Sequence, residues 1–503
     1  MRYVSDGPTR DGWIELVKDQ GLTYVMTTDP VTGQEFSYWM EAGHFVLKES
    51  ETDLIGEANA ALFQAYLEAG EHVLAFERAW HWDTANPEQR NLSHLDRDCY
   101  FHKLGIPEWA AGAIIRTWQL DEPDGSACLA LAHEYWPNIY GRYDLGVQLD
   151  DNGTIVGVKL FEFNADTPTG VVETVIQWDW FAALHQREGR DQWNSLRKDP
   201  VRGNPNQPYE GDGSTDNLVD RWIHELTLYR QSWGSLPSVI HVAHDSDEPE
   251  GEDYFTCVIM YEALVEASRL MGTSETSAFG VKLIKLNQIT RHEPEGSPTV
   301  PDGPLAGTPI GQWFDTDGMR IKMIFKLNAW EHALEEGRFD FGKTAIYDLL
   351  SDDPTIWVES PYKLLWSNKG FLAVLWKLFK DDSRFNHFLL ETYFEGDPDI
   401  PADFMRNCVI KPMLSREGAN VTVIRDGVIV EEGPNQGYGA EGRVVQKLAP
   451  LPKFHDPELG ELHAVIGSWM LGDTGAGLCI RVSQGRITNN LSRFAPHYFE
   501  TGV

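Results

Sequence analysis

The chain is 503 residues long and 42% apolar, enough for a large buried core spread over roughly two to four domain-sized lobes. Its 77 acidic against 42 basic residues leave a formal net charge of -35, which excludes non-specific attraction to nucleic acid or an anionic membrane, both polyanions. The same field draws cations in, or serves solubility alone.

No apolar run approaches the roughly 18 residues of a membrane span, and the opening Met1–Arg10 stretch has no apolar secretion core. Cys99, Cys128, Cys257, Cys408 and Cys479 stand singly without C-x-x-C spacing. That pattern argues against a disulfide framework or a zinc cluster, and predicts small buried hydrophobes in a reducing cytoplasm.

Between Ser50 and Trp80 apolar residues recur at helical spacing (Leu54, Ala58, Leu62, Tyr66, Leu67), so residues 1–130 are expected to be mainly helical scaffold. Ile139–Leu149 then alternates as a strand, Asp151-Asn152-Gly153 reads as a turn, and Ile155–Phe163 is a second strand, which predicts a hairpin. Residues 197–217 and 291–309 are rich in Pro, Gly, Asp and Asn without periodicity, as solvated insertions or lids are, and Asp245–Asp253 is a short acidic loop. Residues 131–360 are expected to form one lobe and 361–503 another. The latter opens with an apolar helix from about Asn368 to Phe379, followed by strands around Cys408–Lys411, Val421–Val430 and Val444–Leu448. The expected class is α+β.

The hairpin ends on Leu160-Phe-Glu-Phe-Asn164, where Glu162 and Asn164 are two apart and point to one face. A carboxylate and an amide oxygen so placed suit Mg²⁺, a hard cation that shares its shell with phosphates; a strand end with a polar rim is the alternative. A three-residue turn at 151–153 places Arg142 opposite Glu162 and brings Asp144 onto the same face as Asn164. Asp144, Glu162 and Asn164 are then candidate metal ligands, and Arg142 offers a planar fork to a phosphoryl oxygen. The competing reading is an ordinary Arg142–Glu162 cross-strand pair.

Tyr140-Gly-Arg-Tyr-Asp144 and Phe161-Glu-Phe-Asn-Ala-Asp-Thr-Pro-Thr169 resemble motifs of the glutathionylspermidine synthase family. Further on, so do Trp357–Lys369, Val409–Val421, Val445–Pro452, Ile466–Trp469 and Ile487–Phe494, in the family's order. The resemblance runs from about Trp13 to Phe499, outside the two insertions. It implies an ATP-grasp-like fold with ATP between two β-rich lobes. The implied activity is an ATP-dependent ligase in which a carboxylate becomes an acyl phosphate and an amine displaces phosphate; in the namesake these are glutathione and spermidine. A ligase for a different amine or amino acid, and a non-catalytic nucleotide- or polyamine-binding protein, are the alternatives.

By position the resemblance makes Arg142 a catalytic and ATP-contacting residue, and Asp144, Glu162 and Asn164 the magnesium ligands. It assigns Lys369, Lys411, Arg416 and Glu417 to the triphosphate, and Gln446, Lys447, Leu448 and Ala449 to the adenine edge. Lys369 precedes a helix start, where anions are favoured, and Ser415–Asn420 is similar to a mobile loop over the phosphates. Thr167, Glu252, Asp253, Glu331, His332 and Arg481 are candidate substrate-binding residues. Asn328-Ala329 departs from the Tyr-Pro that small members carry before Trp-Glu, and the amidase domain of bifunctional members is not expected here.

Overall fold

The computed structural model describes residues 1–29, 32–82, 99–118, 134–196, 217–244, 251–273, 276–299, 307, 309–334, 342–449 and 451–502. Cys128, residues 245–250 of the acidic loop, residues 197–216 of the first insertion, and residues 300–306 and 308 of the second lie outside them.

The helical spacing after Ser50 forms one long helix, α1 (Glu49–Trp82), whose Tyr66, Leu62 and Val73 are buried. The hairpin is β1 (Tyr140–Leu149) and β2 (Ile155–Asn164), followed by α2 (Val171–Leu184) and α3 (Glu252–Met271). Next come α4 (Gly370–Phe379), β3 (Cys408–Pro412), β4 (Thr422–Arg425), β5 (Val428–Glu432) and β6 (Arg443–Lys447). The long strands β7 (Gly460–Leu471) and β8 (Thr474–Ser483) close the series. The run read as one strand from Val421 to Val430 is two. Asp426 and Gly427, at φ 53° and 81°, make the tight turn between them, since a two-residue hairpin turn of this kind needs positive φ at both positions.

Two antiparallel sheets carry the site. In the first the order is β8, β7, β1, β2, with Arg493–Ala495 beyond β8 and Lys453–Asp456 paired to the start of β7. In the second, Thr392–Phe394, β6, β3, β4 and β5 follow one another. A four-stranded parallel sheet (Ile356–Val358, Met323–Lys326, Val239–His244, Gly280–Lys285) was not anticipated from the sequence; its strands are too short for a clear period. A further sheet joins Arg2–Val4, His44–Lys48, His497–Glu500 and Arg190–Asp191, so the two ends of the chain meet. The body is a mixture of helix and sheet, in keeping with the expected α+β class. Cys99, Cys257, Cys408 and Cys479 are buried and free.

The hairpin has one oily face and one polar face, because side chains alternate along a strand. Tyr143 and Phe163 stack at 4.1 Å, and Phe163 meets Tyr66 of α1 at 5.1 Å and Trp366 at 5.7 Å. Burying such an aromatic side chain contributes about 1.5–3 kcal/mol. This packing turns the other face of β1 and β2 toward the cleft.

Candidate functional site

The turn at residues 151–153 forms as expected: Asp150 N–H donates to Thr154 O (2.9 Å), Gly153 takes φ 75°, and the Asp150 carboxylate accepts from the Asn152 and Thr154 amides. The expected partner of Arg142 is nevertheless wrong. Leu149 pairs with Ile155, but the register shifts once before Gln148–Gly157 and again before Asp144–Glu162. Val156 and Phe161 are the extra residues of these two bulges, each setting two residues against one. Arg142 therefore stands opposite Asn164, and Asp144 opposite Glu162. One slip would have turned the set to the other face, and two slips restore it. All four side chains share the cleft face.

Arg142 does not pair with Glu162. Its Nε and Nη2 reach Asp144 at 2.7 and 3.3 Å, Nη1 donates to Thr169 O, and its guanidinium lies over Trp469 at 5.6 Å. Gly467 on β7 lies beneath it, where a Cβ would come 2.8 Å from Arg142 Cδ and 2.3 Å from Cys479 Sγ. Burial opposes the Arg142 charge, but Asp144 outweighs it and holds the guanidinium above its ordinary range. Arg481 of β8 donates to the second Asp144 oxygen at 2.6 Å.

Glu162 meets Lys369 Nζ at 2.9 Å and accepts from Asn164 Nδ2 at 3.3 Å. Burial pushes its carboxyl up, but Lys369 and Lys411 outweigh burial and bring it down to about 2. Lys369 precedes α4, where Asn368 Oδ1 caps Gly370 N–H at 2.8 Å, and its ammonium also donates to Ser415 O. Lys411 reaches Gln446 Oε1 (2.7 Å) and Phe161 O (3.2 Å), and burial lowers it to about 8 against the pull of Glu162.

These groups line one cleft between the two antiparallel sheets. Among the candidates from sequence, Arg142, Asp144, Glu162, Asn164 and Thr167 come from the hairpin side. Lys369, Lys411, Arg416, Glu417 and Gln446 to Ala449 form the opposite wall, and Arg481 closes one end. Seven lining residues are Lys or Arg and three are Asp or Glu, a local inversion of the chain's overall charge. The region beside Gln446–Ala449 is apolar, with Leu390, Val409, Val421, Val423 and Ile487.

Four candidates do not line the cleft. Glu331 reaches it through Arg416, whose Nε it binds at 2.5 Å while Nη2 donates to Thr167 Oγ1 at 3.0 Å. Burial works against the Glu331 carboxylate and Arg416 outweighs it, keeping it below its ordinary range. His332 adjoins Glu331 in the short helix Trp330–Leu334. Glu252 and Asp253 open α3, and Glu252 accepts from Gly170 N–H at 2.7 Å, directly behind Thr169 of the cleft wall.

Three residues were missed. Glu173 is a buried carboxylate in α2 beside Arg142 and Glu252; a glutamate inside an otherwise apolar helix run (Val171-Val-Glu-Thr-Val-Ile) was the signal. Asp166 binds Lys326 Nζ (3.2 Å) and Trp330 N–H (2.6 Å), tying the end of β2 to the Glu331 segment. Arg486 lines the cleft, its backbone amide held by Glu431 at 2.8 Å.

Among the described residues no group of three or more His, Cys, Asp or Glu is placed to hold a metal. Two carboxylates and an amide on one face remain, each carboxylate now neutralised by a cation at 2.6–2.9 Å. The chemistry of this donor set fits a hard cation bound together with phosphate oxygens, which would take over the Lys and Arg side chains and leave the carboxylates for the metal.

The glutathionylspermidine synthase preATP-grasp family matches residues 4–203 and 307–500 of this chain. A putative acid–amine ligase of Haemophilus influenzae is 28% identical over 375 residues, 72% of this chain and 75% of that protein. A trypanothione synthetase of Crithidia fasciculata is 26% identical over 395 residues, covering 73% of this chain and 49% of that one. The bifunctional glutathionylspermidine synthetase/amidase of Escherichia coli is 20% identical over 358 residues, covering 68% and 47%. The match thus spans three quarters of the first relative and about half the length of the other two. A glutathione synthetase-like effector of Globodera pallida, solved in its apo form, aligns over 98% of this chain and 99% of its own at 10% identity and a TM-score of 0.48. The chain is a ligase. It belongs to the glutathionylspermidine synthase family.

Proposed function

We propose that this chain is an ATP- and Mg²⁺-dependent carboxylate–amine ligase that activates a carboxylate as an acyl phosphate for attack by an amine, with nucleotide bound in the cleft between the two antiparallel sheets in ATP-grasp fashion. One observation carries this reading: a chain of net charge -35 concentrates seven cationic side chains against three carboxylates in a single cleft. Without that cluster a triphosphate would be repelled.

In this reading Asp144, Glu162 and Asn164 hold Mg²⁺, which screens phosphate charge. Lys369, Lys411 and Arg416 bind phosphate oxygens, with Glu417 fixing the loop. Backbone groups of Gln446, Lys447, Leu448 and Ala449 read the base beside the apolar slot. Arg142 stabilises charge on the transferred phosphoryl group and the acylated oxygen, and Arg481 and Thr167 orient the carboxylate. Glu252, Asp253, Glu331 and His332 form the amine side. Glutathione and spermidine are the first pair to try, since relatives are named for glutathionylspermidine. Asn328-Ala329, where small family members carry Tyr-Pro, favours a second reading: a ligase of this mechanism for another amine or amino acid.

The test is ADP release, with the product mass read after incubation with ATP, Mg²⁺, glutathione and a set of polyamines and amino acids. The expected outcome is ADP only when carboxylate, amine and Mg²⁺ are present together. ADP release indifferent to the carboxylate would overturn the proposal.

A further inference from the structure

Behind Thr169 of the cleft wall two carboxylates border Gly170. Glu173 is fully buried in the first turn of α2, and Glu252 is half-buried at the start of α3. Tyr24 donates to Glu173 Oε1 at 3.1 Å, and Gly170 N–H donates to Glu252 Oε1 at 2.7 Å. Glu173 Oε2 is buried with no hydrogen-bond partner. Gly170 lies beside it: a Cβ there, strained by the φ of 89°, would lie 4.0 Å from Glu173 Oε2 and 3.6 Å from Arg142 Nη1. A buried carboxylate oxygen lacking a donor beside a second carboxylate is a place for a proton.

We propose that Glu173 and Glu252 share one proton, and that Glu173 acts as a positioning residue making Glu252 the proton acceptor for the incoming ammonium. The proposal rests on the ligase reading above and deepens it. An amine in water is R–NH₃⁺, which has no lone pair for attack. With the pair ionised, Glu252, behind Thr169 of the cleft wall, takes the first proton, which the pair then shares, and leaves R–NH₂. The nitrogen lone pair then forms the C–N bond, the acyl C–O bond breaks with its electron pair leaving on phosphate, and the second N–H proton goes to that phosphate. Charge and protons balance, with one neutral carboxyl on the enzyme and HPO₄²⁻ in the cleft.

The surroundings support a proton acceptor that works near neutrality. Burial first, then the neighbouring Glu173, push Glu252 up to about 7, and burial pushes Glu173 up as well. The other titratable groups facing the pair are Tyr24 and Tyr38, both pushed well above their ordinary range by burial first and then by Glu173, and Arg142, which favours the ionised carboxylates. Arg481 faces Tyr38.

The experiment compares wild type with Glu173→Gln and Tyr24→Phe. Infrared titration of the full chain between pH 5 and 8 reads the shared carboxyl directly, without any substrate. In Glu173→Gln, Glu252 loses a like charge, so its midpoint falls by about one pH unit or more. In Tyr24→Phe, the carboxylate loses a donor and the pair's midpoint rises. A merely structural role would not move the two variants in opposite directions, and midpoints equal to wild type in both overturn the shared proton. Coupling is then assayed with spermidine and with hydroxylamine, which is already neutral at pH 7 and needs no acceptor. Glu173→Gln is expected to lose about tenfold or more with spermidine and less than about threefold with hydroxylamine, with the acid limb for spermidine displaced to lower pH. Equal losses with both amines overturn the acceptor role. Wild type that forms neither amide nor hydroxamate overturns the ligase reading instead, and the infrared result still decides whether the proton is shared.

Discussion

In the cleft, Asp144 is met by Arg142 and Arg481 at 2.7 and 2.6 Å, and Glu162 stays ionised under burial because Lys369, at 2.9 Å, and Lys411 outweigh it. At the sheet joining the two ends of the chain, His44, His185 and His497 are equally buried, and among the described residues none of them is ion-paired with a carboxylate. His44, His185, Trp180 and Tyr498 form one aromatic cluster with centroids 4.4–5.6 Å apart. Burial lowers all three histidines, His185 to about 4 and His497 to about 3. The same penalty on buried charge thus has two outcomes: charges with a partner survive, and groups without one go neutral. On the proposed function, the first region exchanges these partners for a charged ligand, whereas the second holds no charge to exchange.

The comparison breaks most severely if the cleft carboxylates are removed. Asp144→Ala with Glu162→Ala is expected to lower ATP turnover by about three orders of magnitude, since both metal-facing oxygens and the counter-charge of the cations go together. It also leaves Arg142 and Lys369 without their partners, at a stability cost of about 3–5 kcal/mol for a broken buried pair. Denaturant unfolding with and without ATP separates these effects, because a bound triphosphate repairs the second and not the first. Turnover near the wild-type rate would sink the metal assignment.

Lys369→Met or Lys411→Met cuts less deeply. Each removes one charge-assisted contact, of about 1.5–3 kcal/mol, so ATP should bind roughly ten- to a hundredfold more weakly by calorimetry. Lys369→Met has an acid signature too. With its folded value near 2, below the usual 4.5, Glu162 contributes stability that is present above pH 4.5 and lost as pH falls through about 2. Without Lys369 the carboxyl moves up and that contribution shrinks, so the variant should unfold at a higher pH in acid. An acid midpoint equal to wild type would show that Lys411 alone holds Glu162.

The hairpin was legible because alternation and an Asp-Asn-Gly turn are local signals, and its polar face came out right even though Arg142's partner did not. Val156 and Phe161, the two bulge residues, are ordinary strand residues and carry no mark of the extra position. Lys369, Lys411 and Gln446, singled out by the family pattern, line one cleft. The Arg416–Glu331 pair was illegible, since 85 residues separate partners that only the tertiary fold brings together. Glu173 was hidden for another reason: glutamate in a helix usually faces solvent, and only the packing of α2 against Tyr24 and Glu252 removes it from water.

The terminal sheet gives the smallest effect at neutral pH and a large one in acid. His185 and His497 have folded values near 4 and 3, below the 6.5 of an unfolded histidine, so the unfolded chain binds more protons between those limits. Stability is complete above pH 6.5 and falls as pH drops toward 4 and then 3, on the order of 1.4 kcal/mol per pH unit for each histidine. His185 is the cleaner probe, because neither ring nitrogen has a hydrogen-bond partner. Phenylalanine keeps a flat ring against Trp180 and Tyr498 without a polar atom to desolvate, so His185→Phe should match or exceed wild-type stability at pH 7 by about 1 kcal/mol. It should also flatten the acid slope between pH 6.5 and 4 while leaving ATP turnover alone. A slope that persists would move the acid sensitivity to His497, whose Nδ1 already meets Gln177 Oε1 at 3.0 Å and whose removal therefore has a cost of its own.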